Sequence, residues 1–193
     1  MAGVCLACGT ASLLGATCTT YHQRDMPDGM TTSFSYADPV ARQLICAWKY
    51  DYDTSAKDIL LRKTKRRLGL LRAVISLLKI EAIVPIPLHH RRLCERGFDQ
   101  AQEIAQALAS ELDIPLRDIL KRLRPTGKQA DRTDDKRRQE MKRNPFIVRD
   151  KALNRVLLVD DVWTTGATAC AATRILKKTG VETVWVYTLA KGG

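Results

Sequence analysis

The sequence predicts an α/β protein, a parallel β-sheet flanked by helices, with a small zinc-knuckle-like segment in front of it. Three observations carry the prediction. Arg155-Val156-Leu157-Leu158-Val159 is an almost unbroken apolar run, the pattern of a strand buried on both faces, as in parallel sheets. Apolar residues at 98, 101, 104, 105, 108 and 112 line one stripe at helical period. Strand-like and helix-like segments alternate along the chain, which requires right-handed crossovers and places a ligand over the carboxyl ends of the strands.

Residues 1–30 form the predicted N-terminal segment and 31–193 the main domain. Cys5, Cys8, Cys18 and His22 follow the spacing C-x2-C-x9-C-x3-H, a donor set for tetrahedral zinc in a reducing compartment. The other reading is a site that has lost its fourth ligand. Cys46, Cys94 and Cys170 stand apart and read as small buried hydrophobes.

A short strand is expected at Thr31–Tyr36. Asp38 then caps a helix that has Pro39 as its first residue and runs to Tyr50. Residues 58–78 read as one basic helix, followed by a strand at Ala82–Pro87, a helix at Phe98–Leu112 and a strand near Ile119–Leu123. The polar stretch 125–144 shows no apolar periodicity and is expected to be a mobile basic loop, with a short helix as the alternative for its second half. Phe146–Val148 is another short strand. The apolar run from Arg155 ends in Asp160-Asp161, and a helix follows at 167–179, with Lys177 and Lys178 in its last turn and Gly180 as its stop. Thr183–Leu189 closes the sheet.

The chemistry concentrates at the end of the apolar run. The first N–H groups of a helix have no internal partner and lie at the positive end of its dipole, so a Thr- and Gly-rich turn in front of one holds phosphate. Gly166 permits close backbone approach, and Thr164, Thr165 and Thr168 add hydroxyl donors. Asp160 and Asp161 would repel phosphate and so serve another part of the ligand, a ribose diol or a Mg2+ ion. A Walker B strand would need a G-x-x-x-x-G-K-[ST] loop, and a dinucleotide fold a G-x-G-x-x-G; neither occurs. A two-component receiver would carry its acids near the N-terminus.

The run VLLVDDVWTTGAT, Val156 to Thr168, resembles the phosphoribosyl-diphosphate (PRPP) signature of type I phosphoribosyltransferases. The run from Val84 to Ala101, with Pro85-Ile86-Pro87-Leu88-His89-His90-Arg91-Arg92 and Glu95-Arg96-Gly97-Phe98-Asp99-Gln100, resembles the second hallmark of the ComF/GntX branch, usually written with Asn where this chain has Asp99. Related proteins usually continue their first cysteine pair with a second C-x2-C, whereas this chain has Tyr21 there. The resemblance implies that Asp160 and Asp161 meet the ribose hydroxyls of PRPP. It gives the 5′-phosphate to Thr164, Thr165, Gly166, Ala167 and Thr168. Pyrophosphate, with its Mg2+, falls near Leu88–Arg92, where His89, His90, Arg91 and Arg92 are the candidate donors; a solvated basic loop is the alternative. The 125–144 loop would close over the ligand. No general base is legible, and the chain stops at Lys191-Gly192-Gly193 without a recognisable acceptor pocket.

Charge widens the reading. Lys plus Arg number 32 against 21 Asp plus Glu, for +11 and a pI near 9.6, which favours polyanions. The bases cluster at Arg62, Lys63, Lys65, Arg66 and Arg67 and again at Lys136, Arg137 and Arg138, either as solvated faces or as a phosphate-backbone track. Tyr50 and Tyr52 are the nearby stacking candidates, Trp48 being expected in the core. ComF-type proteins are associated with natural competence. The resemblance therefore implies a PRPP-binding protein acting in DNA uptake, binding single-stranded DNA in the cytosol beside uptake or recombination proteins. The alternative is an active Mg2+-dependent phosphoribosyltransferase of nucleotide metabolism. No run is long and apolar enough for a membrane span, and no basic n-region precedes Arg24, so neither membrane insertion nor secretion is expected.

Overall fold

A computed structural model describes residues 2–6, 8–18, 26–123, 145–149 and 153–192. His22 and the whole of the expected mobile loop 125–144, with Lys136, Arg137 and Arg138, lie outside the described residues. In chain order the elements are β1 (Ala2–Val4), β2 (Ala11–Leu13), β3 (Gly29–Ser35), α1 (Pro39–Tyr50), α2 (Thr54–Lys65), α3 (Gly69–Leu78), β4 (Ala82–Pro85), α4 (His90–Arg96), α5 (Gln100–Leu112), β5 (Leu120–Arg122), β6 (Phe146–Val148), β7 (Arg155–Trp163), α6 (Ala167–Lys178) and β8 (Thr183–Lys191).

Among the described residues, four strands pair in parallel in the order β3-β8-β7-β4. The continuous apolar run of β7 is explained by cover on both faces. Leu157 and Val159 pack with Ile45, Leu60, Leu71 and Ile104 from the helices of one face. Val156 and Leu158 pack with Leu176 of α6 and Leu120 and Phe146 of the β5–β6 pair on the other. Full burial of such side chains stabilises the fold by roughly 1.5–3 kcal/mol each. Trp48 is buried and stacks on Phe98 at 6.2 Å.

The N-terminal hairpin of β1 and β2 docks through close backbone approach. A Cβ on Gly29 would lie 2.3 Å from the Trp185 ring, and one on Gly15 would lie 2.3 Å from the Met30 carbonyl oxygen. Trp185 Nε1 donates to Thr31 Oγ1 at 2.9 Å, which fixes the indole beneath the hairpin.

Four expectations are corrected. The single helix over 58–78 is two helices, α2 and α3. It begins early because Asp53 caps Ser55 and Ala56. It breaks at residues 66–68, where Arg67 turns back to donate to the Ser33 carbonyl at 2.7 Å and lies 4.8 Å over the Phe34 ring. The expected loop at Leu88–Arg92 folds from His90 into α4, whose first turn His89 caps. The strand expected to end at Asp160-Asp161 runs on to Trp163, because β8 continues alongside it to Lys191. Finally, Cys94 is exposed and Cys46 and Cys170 are only half-buried, Cys170 at the edge of the core beneath α6.

Candidate functional site

Unequal pairing of β7 creates the site. On one side its pairing with β4 stops at Pro85 opposite Val159, while on the other it continues with β8 to Trp163 opposite Lys191. Asp160 and Asp161 therefore stand on a strand held from one edge only, at the carboxyl end of the sheet. Pleating sends neighbouring side chains to opposite faces, and each acid faces its own cation. Asp161 Oδ2 pairs with Lys49 Nζ, from the last turn of α1. Asp160 lies within the field of Arg122, at the end of β5. The acids also hold the local backbone, Asp160 Oδ1 accepting from Asp161 N at 2.9 Å and Asp161 Oδ1 from Val162 N at 2.7 Å.

Burial, and next the Asp161 charge, push the Asp160 carboxyl up to about 8, while Lys49 and Arg122 oppose the rise. A carboxyl in this state offers an O–H as well as acceptor oxygens at neutral pH, and it ionises when a cation approaches.

The turn after β7 is shaped by one residue. Gly166 adopts φ +72°, and a Cβ there would sit 2.2 Å from Cζ2 of Trp163, so both the backbone angle and the indole demand glycine. α6 starts at Ala167; its N-cap Gly166 has no side chain to cap it, and Ala167 N donates a long hydrogen bond to Thr165 Oγ1 at 3.4 Å. Thr164, Thr165 and Ala167 are exposed and Thr168 is half-buried, so the predicted phosphate residues surround an accessible helix start. Gly192 N donates to Trp163 O at 2.7 Å and braces the turn from the end of β8.

Opposite lies the segment after β4. His90, Arg91 and Arg92 are exposed on α4, and His89 is half-buried with its Nδ1 accepting from Arg91 N at 3.3 Å. Arg91 pairs with Glu95 at 3.1 Å. Arg122 is pushed below its ordinary value chiefly by burial and also by the Arg92 charge.

Lys49, Asp99 and Arg122 escaped sequence reasoning. Lys49 follows the buried Trp48 inside a regular helix and carries no motif. Asp99 is legible as the cap of α5, since its Oδ1 accepts from Gln102 N at 3.3 Å. Its second oxygen, however, accepts from Leu88 N at 2.7 Å across eleven residues of sequence, and no local pattern announces that bond. Arg122 ends a strand beside a basic stretch in which one arginine cannot be told from another.

Two further clusters were expected. The Sγ atoms of Cys5, Cys8 and Cys18 lie within 4.8 Å of one another, and Cys18 N donates to Cys5 Sγ at 3.2 Å. That is a metal-ligating arrangement of three thiols, brought together by the β1–β2 hairpin and the strand-like return to Cys18. The five bases near α2 do not share one free face. Arg67 is tied to β3 and Lys65 pairs with Glu111 at 3.0 Å, whereas Arg62, Lys63 and Arg66 are exposed and have no partner among the described residues.

The phosphoribosyl transferase domain family matches residues 99–193, which hold the acids, the turn and Arg122. Competence protein F of Haemophilus influenzae is 42% identical over 116 residues, 58% of this chain and 50% of that protein. These matches support a ComF-like member of the phosphoribosyltransferase family. It spans about half the length of the Haemophilus relative. Other relatives are competence protein ComFC of Streptococcus pneumoniae, 26% identical over 74% of this chain and 60% of that one, and DNA utilization protein YhgH of Salmonella typhimurium, 27% identical over 97% and 84%. The ComF-like chain carries Lys49 and the three clustered thiols outside the matched domain.

The raised Asp160 carboxyl makes stability depend on pH. The unfolded chain ionises this group near its ordinary 3.8 and the folded chain near 8, so stability present at acidic pH is lost as pH rises from about 4 to about 8. Asp160→Asn, which cannot ionise, should match wild type near pH 4 and melt higher near pH 9. Each kcal/mol is worth roughly 2–4 °C in a chain of this size. A difference in melting temperature that is the same at both pH values would contradict the assignment.

Proposed function

We propose that this ComF-like protein binds PRPP at the carboxyl end of β7 and acts in the cytosolic handling of single-stranded DNA during uptake. The carrying observation is the acid ledge and the threonine–glycine turn meeting at the start of α6. In this reading Asp160 and Asp161 receive the ribose hydroxyls, and residues 164–168 receive the 5′-phosphate through backbone N–H groups and hydroxyls. His89, His90, Arg91 and Arg92 face the pyrophosphate. Carboxylate oxygens are the donors a hard cation takes, so Asp160 and Asp161 fit Mg2+ arriving with the pyrophosphate, whose charge it would neutralise.

The names of the relatives, competence protein and DNA utilization protein, support the DNA role. The chain's net charge of +11 does so too. Arg62, Lys63 and Arg66 form the described part of the DNA track, and Lys136, Arg137 and Arg138 the rest; uptake and recombination proteins are the partners this implies. No helix among the described residues is long and apolar enough to cross a membrane. Turnover as a phosphoribosyltransferase is the second reading, favoured by the family match over the site, and pyrophosphate release is its readout. At the N-terminus, three thiols with an N–H donated to Cys5 Sγ fit zinc, and His22, outside the described residues, is the proposed fourth ligand.

Calorimetric titration with PRPP and Mg2+ tests the site. The Asp160→Asn, Asp161→Asn double variant should lose at least about tenfold in affinity, because a hydrogen bond to a charged group contributes about 1.5–3 kcal/mol; undiminished binding would refute the assignment. For DNA, the affinity for a short single strand should fall steeply with salt. Replacing Arg62, Lys63 and Arg66 by Gln should flatten the log–log slope by about 2, at roughly 0.7 per phosphate contact. A salt-independent affinity would end the DNA reading. Elemental analysis should find zinc in the purified protein and none in Cys8→Ser or His22→Ala.

A further inference from the structure

The segment between β4 and α4 is held in an unusual way. The Pro87 carbonyl and the Leu88 N–H are the two ends of one peptide unit. Arg122 Nη1 donates to the carbonyl at 3.3 Å, and the N–H donates to Asp99 Oδ2 at 2.7 Å. A guanidinium and a carboxylate from two different elements therefore grip one peptide plane from both ends.

Each jaw is itself anchored. Asp99 is the cap of α5, with its other oxygen occupied by Gln102 N. Arg122 lies with its Cζ 5.4 Å over the Phe146 ring, across the β5–β6 pair. Three chain segments, remote in sequence, meet at a half-buried peptide that belongs to no helix or strand. Proline fixes its own φ and brings no N–H, so rotation of the peptide plane after it is the main freedom left there. Two charge-assisted bonds of opposite polarity oppose that rotation, because a flipped plane would present its carbonyl to Asp99 and its N–H to Arg122.

We propose that Asp99 and Arg122 are positioning residues that lock the Pro87–Leu88 peptide and thereby aim the pyrophosphate arm of the site. The peptide leads directly into His89–Arg92, so its orientation sets where those side chains and the start of α4 point. The jaws are also electrically continuous with the acids, Asp99 lying in the field of Asp161 and Arg122 in that of Asp160. This proposal rests on the PRPP reading of the site.

The test compares PRPP with ribose 5-phosphate, which has the sugar and the 5′-phosphate but no pyrophosphate. Kd values for both, with Mg2+, are measured on wild type, Asp99→Asn, Arg122→Gln, Arg122→Lys and the Asp99→Asn, Arg122→Gln double variant. Asn keeps the shape of Asp99 but puts an amine where the second acceptor oxygen was. Thermal melting of every variant checks folding, and Arg122→Lys, which keeps the charge without the fork, serves if Asp99→Asn does not fold. Each neutral variant is expected to weaken PRPP about tenfold or more, as loss of a charged hydrogen bond does; Asp99→Asn should leave ribose 5-phosphate within about twofold, while Arg122→Gln, which also removes the cation beside Asp160, should cost ribose 5-phosphate less than PRPP. The double variant should cost little more than the worse single one, since both jaws hold the same peptide. Arg122→Lys should recover part of the PRPP loss. Equal losses on both ligands, or fully additive losses, would overturn the clamp and leave the PRPP site standing. A wild-type protein that binds neither ligand would overturn the site reading and the clamp with it.

Discussion

The site depends on β7 being paired farther on one side than on the other. A strand with both edges satisfied would bury its last residues, and one with neither would fray. β8 carries the ladder to Trp163 while β4 stops at Val159, which leaves a rigid ledge open along one edge. On that ledge Asp160 and Asp161 have fixed backbones and half-buried side chains. Everything else at the site is arranged around it, with the turn and α6 beyond it and the β4–α4 segment across from it.

Placing two acids together at the end of an apolar strand is electrostatically expensive. The fold offsets the cost by giving each acid its own cation from a different layer, Lys49 from the helical face and Arg122 from the β5–β6 face. Compensation is incomplete at Asp160, whose proton is held to about 8. Under the proposed PRPP reading, the ligand's hydroxyls and its metal would supply what the pair lacks, and a better-neutralised pair would gain less from them.

Much of this was legible in the sequence, for definable reasons. The α1 boundaries followed from Asp38 and Pro39, and the parallel sheet from the apolar run of β7, because both signals are local and each is tied to one backbone conformation. The split between α2 and α3 was not legible. Apolar spacing continues across residues 66–68, and the break is made by Arg67 reaching β3, a contact across more than thirty residues. The α4 helix was hidden for a related reason: a short helix capped by His89 lacks the usual Ser, Thr, Asp or Asn signal. At the site itself, the acids and the turn lie on contiguous residues and could be read together. Lys49, Asp99 and Arg122 come from three separate elements and become neighbours only through the fold.

Trp163 lends the site one more property. Its indole packs directly beneath Gly166, and its carbonyl is tied to Gly192. An intrinsic fluorophore is thus built into the proposed phosphate cradle, so the emission of the unlabelled protein would report directly on what occupies it.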